Sequence, residues 1–302
     1  MNKLTITACP LCQSNHLRFV MKCEDYYASG EEFELFQCDD CNFLFTQDAP
    51  SGEAINRYYE TPDYISHTNT KKGVVNRIYH LVRSRMLKKK ASLVIRITGK
   101  PSGTLLDIGT GTGYFPNMMK KKGWKVKAVE KNENARLFAK EHFALDVKDE
   151  GSLKEFPAGT FDAITLWHVM EHLEQLDETW GQLHELLSED GVLIIAVPNS
   201  KSYDAQKYKE QWAAYDVPRH LWHFTPATIQ QFGSKHGFIM CEQYPMPFDA
   251  FYVSMLSEKY RKSSSPFIKG MWTGLKAWFQ TESKKENSSS IIYIFRKRSN
   301  EK

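Results

Sequence analysis

The 302-residue sequence predicts an α/β protein, with a doubly wound, mostly parallel sheet preceded by a small cysteine-rich segment. Three patterns support this prediction. Residues 105–108 are typical of a buried strand, three glycines follow at alternate positions, and helical spacing resumes at Tyr114. Residues 125–130 have the pattern of a second strand that ends in an acid. Four of the six cysteines form two Cys-x-x-Cys pairs near the start of the chain.

The bulk composition limits the class of protein. The sequence is 41% hydrophobic and 25% charged, as in ordinary soluble proteins, and its net charge is +4. So mild a charge argues against a dedicated nucleic-acid binder. No apolar run reaches the ~18–20 residues that span a bilayer, and no extended apolar segment marks a cleaved signal. We therefore expect a cytoplasmic protein without a transmembrane segment.

Residues 1–47 are predicted to form a zinc-ribbon-like domain. Its four ligands would be Cys9, Cys12, Cys38 and Cys41. Two Cys-x-x-Cys turns suit the tetrahedral coordination of Zn²⁺, and a closed sulfur shell indicates a structural ion that supplies folding free energy. A redox pair is the alternative interpretation. Cys23 is expected to be a small buried apolar residue rather than a ligand.

Residues 48–98 are predicted to form a helical linker and cap. Apolar residues from Ile78 to Ile97 lie at helical spacing, and several arginines and lysines accompany them. We expect these basic residues to form a solvated helix face, with a phosphate-contacting surface as the alternative. Tyr58, Tyr59 and Tyr64 precede the helix, where they could cover a pocket.

The glycine run at residues 109–113 predicts an anion-binding corner. Glycines let the backbone turn sharply and approach a ligand closely, and the following helix presents free N–H groups and its positive dipole end. Glu130, at the end of the second strand, is placed to accept hydrogen bonds from ribose hydroxyls. A dinucleotide fold prefers Gly-x-Gly-x-x-Gly, a spacing that this chain lacks. A turn that needs glycine for packing alone is the other alternative.

The run from Asp107 to Gly113 resembles the first motif of the class I S-adenosylmethionine-dependent methyltransferases. The resemblance continues in order over about residues 80–245. The matching segments are a fourth strand at 161–166, the residues 167–173 that follow it in the chain, and a helix, turn and fifth strand at 186–199. This resemblance implies a seven-stranded, Rossmann-like methyltransferase domain over residues 99–302.

The resemblance also implies which residues bind the cofactor. They are Asp107, Gly109, Gly111, Gly113, Glu130, Asp149 and Trp167. Asp107 and the glycines should face the methionine end, Glu130 the ribose, and Asp149 the adenine. Asp146 is the alternative to Asp149 as the residue beside the adenine. Trp167 should lie near the sulfonium.

Two histidines are candidates for a catalytic base. Methylation of an oxygen requires loss of a proton, for which histidine has a suitable pKa. His220, in a Pro-Arg-His-Leu element that resembles one of small-molecule and sugar methyltransferases, is the first candidate, and His168 is the second. A hydrogen-bonded structural histidine is the alternative for each. Glu171 and His172 are expected to cap and pack the next helix, with a divalent-metal pair as the alternative.

A long insertion separates the predicted sixth and seventh strands, over about residues 246–289. Its aromatic stripes at 248–256 and 266–279 predict helices packed over the acceptor site as a lid or wall. A basic, aromatic helix lying on a membrane surface is the alternative, which would make peripheral membrane contact. Residues 283–289 are predicted to form a polar loop.

The sequence thus favours a methyltransferase for a small polar acceptor, such as a sugar, nucleotide-sugar or metabolite hydroxyl. The expected partner is this small molecule. Two other functions stay open. An RNA methyltransferase would use the zinc ribbon and the basic helix for backbone contacts, and a non-catalytic protein would keep only the cofactor site.

Overall fold

The computed structural model describes residues 2–59 and 74–298, with the side chains of 74–82 and 282–283 left out. Tyr64 lies outside this range. The predicted α/β architecture is confirmed, because seven strands form one mostly parallel sheet. The chain's strands are β1 (Lys3–Leu4), β2 (Leu17–Glu24), β3 (Glu32–Cys38), β4 (Leu44–Gln47), β5 (Ala49–Pro50), β6 (Thr104–Ile108), β7 (Lys125–Val129), β8 (Val147–Lys148), β9 (Phe161–Trp167), β10 (Leu187–Pro198), β11 (Trp222–His223), β12 (Phe238–Pro245) and β13 (Ser290–Lys297).

The main sheet has the strand order β12-β13-β10-β9-β6-β7-β8. Strands β6 to β10 in this sheet run parallel to their neighbours, whereas β13 is antiparallel to both β10 and β12. The parallel strands read as nearly continuous apolar runs because both faces of the sheet are covered. Leu105, for example, packs in one core cluster with Val94, whereas Leu106 packs in the opposite one with Trp180.

The helices that cover the sheet follow its strands in the order expected of a doubly wound fold. They are α1 (Val74–Thr98), α2 (Tyr114–Lys121), α3 (Glu133–Phe143), α4 (Leu176–Leu186), α5 (Tyr203–Tyr208), α6 (Pro226–Lys235), α7 (Asp249–Tyr260) and α8 (Pro266–Ser283). The last two form the predicted helical insertion between β12 and β13. In the described part of the chain, no helix combines the length and the apolar character needed to cross a bilayer.

The cysteine-rich segment forms a second sheet that the α/β part completes. Its strand order is β11-β4-β3-β2, so the strand at residues 222–223 adds to an edge of the N-terminal sheet. Trp222 pairs with Phe45 in this antiparallel contact. Phe43 packs against the rings of Phe224 and Phe232, with centroid distances of 5.6 and 5.0 Å. The first 47 residues therefore share both a sheet and a hydrophobic core with the rest of the molecule.

The polar segment before β13 differs from its prediction. Ser288, Ser289 and Ser290 are buried rather than exposed in a loop. The hydroxyl of Ser289 donates to the buried Asp204 carboxylate at 2.7 Å, and the Asn199 amide donates to the Ser288 carbonyl at 3.0 Å. These two hydrogen bonds offset part of the cost of burying the segment, whereas the buried Ser288 hydroxyl has no partner among the described residues.

Candidate functional site

The glycine loop at the carboxyl end of β6 combines tight packing with an open surface. Gly109, Gly111 and Gly113 have φ angles of 66°, 55° and 80°, a region that side-chain-bearing residues rarely adopt. A Cβ on Gly109 would lie 2.4 Å from Cγ2 of Val169, so this position has no room for a side chain. A Cβ on Gly111 would meet no atom within 4 Å. Gly111, in the middle of the loop, thus faces open space at the carboxyl end of β6.

Glu130 is held rigidly beside this loop. One carboxylate oxygen accepts the N–H of Gly111 at 2.7 Å, and the other accepts the N–H of Asn132 at 2.9 Å. The carboxylate therefore stands at the carboxyl end of β7 with its orientation fixed by backbone groups. Each oxygen keeps a free lone pair for a ligand hydroxyl.

Asp107 holds the glycine loop to the sheet through hydrogen bonds. Its carboxylate accepts the hydroxyl of Thr110 at 2.7 Å and that of Thr165, on the adjacent strand β9, at 2.6 Å. Burial raises the pKa of Asp107 to about 6, and these two hydrogen bonds oppose that rise. Asp107 thus ties the loop to two strands, and its contact with the methionine end of the cofactor stays a prediction.

The other two predicted cofactor residues lie at the ends of neighbouring strands. Asp149 follows β8, where it accepts the N–H of Gly151 at 3.1 Å and the guanidinium of Arg136 at 3.1 Å. Trp167 is the last residue of β9. The ring of Phe115 meets it edge to face at a centroid distance of 5.4 Å, and Nζ of Lys90 lies 4.3 Å from its centroid. All the predicted cofactor-binding residues therefore lie at the carboxyl ends of the parallel strands or in the loops that follow them.

His168 follows Trp167 in a left-handed backbone conformation, with φ of 59°. Its Nε2 lies 3.3 Å from Oδ2 of Asp249, and its Nδ1 lies 3.5 Å from Oε1 of Glu171. Burial disfavours the imidazolium, but the two carboxylates outweigh burial and raise the pKa of His168 to about 9. About a third of the side chain is exposed, so this ring is accessible at the end of β9.

Glu171 forms the centre of a buried polar cluster behind His168. Its carboxylate is 1% exposed, and its oxygens accept no hydrogen bond from the residues that the structure describes. The rings of His172 and His220 are 4.5 Å apart, and the donor atoms of all three residues lie within 4.8 Å of one another. Burial raises the pKa of Glu171, but the surrounding histidines outweigh burial and hold it below its usual value.

The two histidines behind Glu171 are held by other elements. Nδ1 of His172 lies 3.0 Å from the Tyr59 hydroxyl and 2.9 Å from the Arg219 carbonyl. Nδ1 of His220 lies 2.8 Å from the Ala214 carbonyl. Both candidate catalytic histidines, His168 and His220, thus flank the same carboxylate. His168 is the more exposed of the two.

Arg219 links this cluster to the N-terminal sheet. Its guanidinium donates to both carboxylate oxygens of Asp216, at 2.6 and 3.0 Å, and to Asp25 at 3.1 Å. A further N–H donates to the Tyr58 carbonyl at 2.9 Å. Arg219 and Asp25 are both almost completely buried. The forked guanidinium thereby fixes the turn that carries His220 against the cysteine-rich segment.

The four paired cysteines converge on one point. The Sγ atoms of Cys9 and Cys41 are 3.4 Å apart, and those of Cys12 and Cys38 are 3.5 Å apart. All four lie within 4.8 Å of one another. A tetrahedron with metal–sulfur bonds of about 2.3 Å has sulfur–sulfur edges of about 3.8 Å. The cluster therefore has the size and donor set for a structural zinc ion. Cys23 is buried elsewhere, as expected.

Several residues of this site carry no signal in the sequence. Asp249 lies in the insertion, where only the aromatic stripes stand out. Asp25 lies in an acidic turn that resembles a surface loop, although its carboxylate accepts the N–H groups of Tyr27 and Ser29. Arg219 is the one residue with a signal, since it directly precedes His220 in the Pro-Arg-His-Leu element.

Comparisons with known proteins agree with the fold. Residues 81–243 match a family model described as a methyltransferase domain. An uncharacterized methyltransferase of Staphylococcus carnosus is 31% identical over 136 residues, which are 44% of this chain and 60% of that protein. A mitochondrial ubiquinone biosynthesis O-methyltransferase of Schizosaccharomyces pombe is 29% identical over 130 residues, 40% of this chain and 47% of that protein. The chain thus spans less than two thirds of the length of these relatives.

Solved structures share the architecture at low sequence identity. A geranyl diphosphate methyltransferase in complex with S-adenosylmethionine superposes with a TM-score of 0.51 at 15% identity, over 78% of this chain and 95% of that chain. A putative sarcosine dimethylglycine methyltransferase from Galdieria sulphuraria has a TM-score of 0.50, also at 15% identity, over 74% and 88% of the two chains. These likenesses concern the fold alone.

Proposed function

The chain belongs to the methyltransferase domain family, and we propose that it methylates a hydroxyl of a small polar acceptor with S-adenosylmethionine as the methyl donor. The acceptor class is a sugar, a nucleotide-sugar or a hydroxylated metabolite. The observation that carries this proposal is the His168–Asp249 pair, which stands at the carboxyl end of β9 beside the glycine loop. The O-methyltransferase name of the fission-yeast relative supports oxygen as the acceptor atom.

The cofactor half of the site fits S-adenosylmethionine on the geometry of the chain itself. Gly111 faces open space, and the carboxylate of Glu130 is fixed beside it with free lone pairs. Glu130 would hold the ribose hydroxyls, Asp149 would lie beside the adenine, and Trp167 would close the end near the sulfur. When bound, S-adenosylmethionine supplies a methyl group that its positive sulfur already activates for displacement.

The acceptor half has to remove a proton and exclude water. The acceptor hydroxyl would enter beside the partly exposed Asp249 and give its proton to Nε2 of His168 as the oxygen attacks, while Nδ1–H stays directed at the buried Glu171. Asp249 and Glu171 then stabilise the imidazolium, because each carboxylate faces one ring nitrogen. Because Asp249 begins α7 beside this ring, we expect α7 and its neighbour α8 to help exclude water and align the acceptor.

His220 would act through Glu171 rather than on the acceptor. Its ring packs against His172 behind the carboxylate, and the Ala214 carbonyl fixes its Nδ1. We therefore assign His220 as a positioning residue for Glu171, and His168 as the base. Substitution of His220 should then reduce the turnover less than substitution of His168 does.

Two isosteric substitutions test the proposal. Glu130→Gln removes the charge beside the loop, so calorimetry should show S-adenosylhomocysteine binding weakened by about tenfold or more. His168→Gln should leave this affinity unchanged and lower turnover by at least about 100-fold. Turnover is followed as S-adenosylhomocysteine release with a panel of nucleotide sugars, sugars and phenols. Glu178→Gln, at an exposed acid on α4 outside the site, is the matched control.

Each part of the proposal has a contrary outcome. Unchanged affinity in Glu130→Gln would overturn the cofactor assignment. Turnover retained in His168→Gln would remove the base. Activity that is lost on chelation and restored by Mg²⁺, with the zinc content unchanged, would assign Glu171, His172 and His220 to a divalent metal instead.

A further inference from the structure

Helix α8 has an unusual distribution of side chains. The residues on its buried side are all small, namely Gly270, Thr273, Gly274, Ala277 and Thr281. Its exposed side carries six large apolar residues beside three polar ones, with exposed fractions of the apolar residues between 37% and 67%, namely Phe267, Ile268, Met271, Trp272, Leu275 and Phe279. A surface helix of a globular protein normally turns its large apolar residues inward. The aromatic stripe was expected to pack over the acceptor site, and most of it points the other way.

Close packing between α7 and α8 explains the small residues. A Cβ on Gly270 would lie 2.5 Å from Cα of Met255, and one on Gly274 would lie 2.5 Å from Cδ1 of Phe251. The helices therefore meet almost backbone to backbone, and the small residues are required by this contact. This close packing does not account for the large outer residues, which are exposed.

The exposed charges that the structure describes on α7, on α8 up to Thr281 and on the turn between them have one sign. The exposed charged side chains that the structure describes over residues 249–281 are Lys259, Arg261, Lys262, Lys269 and Lys276. The two acids in the same stretch are turned inward. Glu258 is buried, and Asp249 faces His168. The face is thus apolar and aromatic at its centre, and the helical spacing of Lys269 and Lys276 makes it basic along one side.

We propose that the outer face of α8 docks on an anionic lipid surface. Aromatic and aliphatic side chains would enter the boundary between headgroups and acyl chains, while lysines at the margin reach the phosphates. The helix would lie in the plane of the surface over about 18 Å, the length of the twelve residues between Phe267 and Phe279. A second copy of the chain fits this face less well. In a two-fold dimer, the same patch meets itself, so lysine would stand against lysine.

The hairpin of α7 and α8 also contacts the site. Asp249, the first residue of α7, faces His168, and the Phe248 ring beside it packs against Trp278 of α8 at a centroid distance of 5.4 Å. One surface of the hairpin thus forms the wall of the acceptor site, and the opposite surface carries the apolar face. Docking would place the site close to the lipid surface. The docking itself does not depend on the proposed reaction.

Vesicle sedimentation of the full-length protein tests the proposal. We expect the protein to sediment with vesicles of equal parts phosphatidylglycerol and phosphatidylcholine, more weakly with phosphatidylcholine alone, and less as salt increases. The double variant Phe267→Ser/Trp272→Ser should lower the vesicle affinity at least about tenfold. Lys269→Glu/Lys276→Glu should lower it about tenfold on the anionic vesicles.

The matched control lies on α3, which carries an exposed leucine and an exposed lysine in a similar arrangement. Leu137→Ser/Lys140→Glu should leave vesicle binding unchanged. Affinity for S-adenosylhomocysteine reports that each variant is folded. Failure to sediment would overturn the proposal, and so would equal binding by the α8 variants and the wild type. A dimer in light scattering that Trp272→Ser dissociates, without vesicle binding, would assign the face to a second copy.

Discussion

The two halves of the site are built in different ways. The cofactor half comes from short, consecutive segments at the ends of β6, β7 and β8, and backbone N–H groups hold its principal carboxylate, Glu130. The acceptor half is assembled from residues far apart in the chain. Asp25, His168, Arg219 and Asp249 come from four separate elements. A buried ion pair joins Arg219 to Asp25, and a partly exposed one joins His168 to Asp249.

This difference has a physical consequence. Local backbone geometry fixes the cofactor half, so it should tolerate changes elsewhere in the molecule. The acceptor half depends on charges that compensate one another at low dielectric, and removal of one member leaves another unpaired. Substitutions far from the glycine loop should therefore affect turnover of the acceptor more than binding of the cofactor.

Loss of zinc should give the largest effect. Cys38→Ser removes one ligand, and structural zinc contributes about 10 kcal/mol or more to small zinc domains. Because β4 pairs with β11, we expect elemental analysis to show lost zinc, with acceptor turnover abolished and the free energy of unfolding lowered by several kcal/mol. Cys241→Ser, at an exposed cysteine outside the cluster, is the control.

The Cys38→Ser protein also tests whether the cofactor half of the site is independent of the acceptor half. Protein that remains folded without zinc should still bind S-adenosylhomocysteine. An affinity that falls in proportion to turnover would show that the two halves are not independent. Full zinc retention in Cys38→Ser would contradict the ligand assignment itself.

Loss of Arg219 should have the next largest effect. Arg219→Leu leaves the buried Asp25 and the adjacent Asp216 without their cation, which should lower the free energy of unfolding by about 3–5 kcal/mol in urea titrations. Arg219→Lys keeps the charge but not the forked geometry, so it should recover only part of this loss. In both variants the S-adenosylhomocysteine affinity should change little. A loss below about 1 kcal/mol in Arg219→Leu would show that the ion pairs contribute little to holding the halves together.

The pH dependence of turnover should give the smallest effect. His168 must be deprotonated to act as a base, so kcat/KM should rise with pH towards the pKa of about 9. Asp249→Asn removes a carboxylate that favours the imidazolium, which lowers this pKa and moves the rising limb to lower pH. Asp190→Asn, at an exposed acid outside the site, should leave the limb in place. A limb that does not move in Asp249→Asn would exclude His168 as the titrating group.

The sequence was sufficient for the parts of the fold that depend on local patterns. The glycine run, Glu130 and the alternation of strands and helices predict the sheet and the cofactor edge, because each pattern lies within one or two neighbouring elements. The four cysteines predict the zinc cluster for the same reason. The cofactor contacts of these residues, and the catalytic roles of His168 and His220, stay predictions.

The remaining features depend on contacts that no local pattern records. The strand at residues 222–223 is too short to show a period of two, so its pairing with β4 leaves no signal. Ser289 follows lysines and glutamates in the sequence, a pattern typical of an exposed loop. In the structure its hydroxyl instead donates to the buried Asp204. Helix α8 shows apolar periodicity, but periodicity does not tell which face is covered. Partners distant in sequence determine each of these outcomes.

The pairing of β4 with β11 also sets an order of events during synthesis. The four cysteines leave the ribosome well before β11 and can bind zinc while β11 is still unmade. The edge of β4 stays unpaired until β11 is made, because Thr46 and its partner His223 are 177 residues apart in the sequence. Until that partner emerges, the metal alone holds a nascent sheet with an open edge, the kind of edge that invites pairing with other chains. The supply of zinc would therefore protect the growing polypeptide before it contributes to the folded protein.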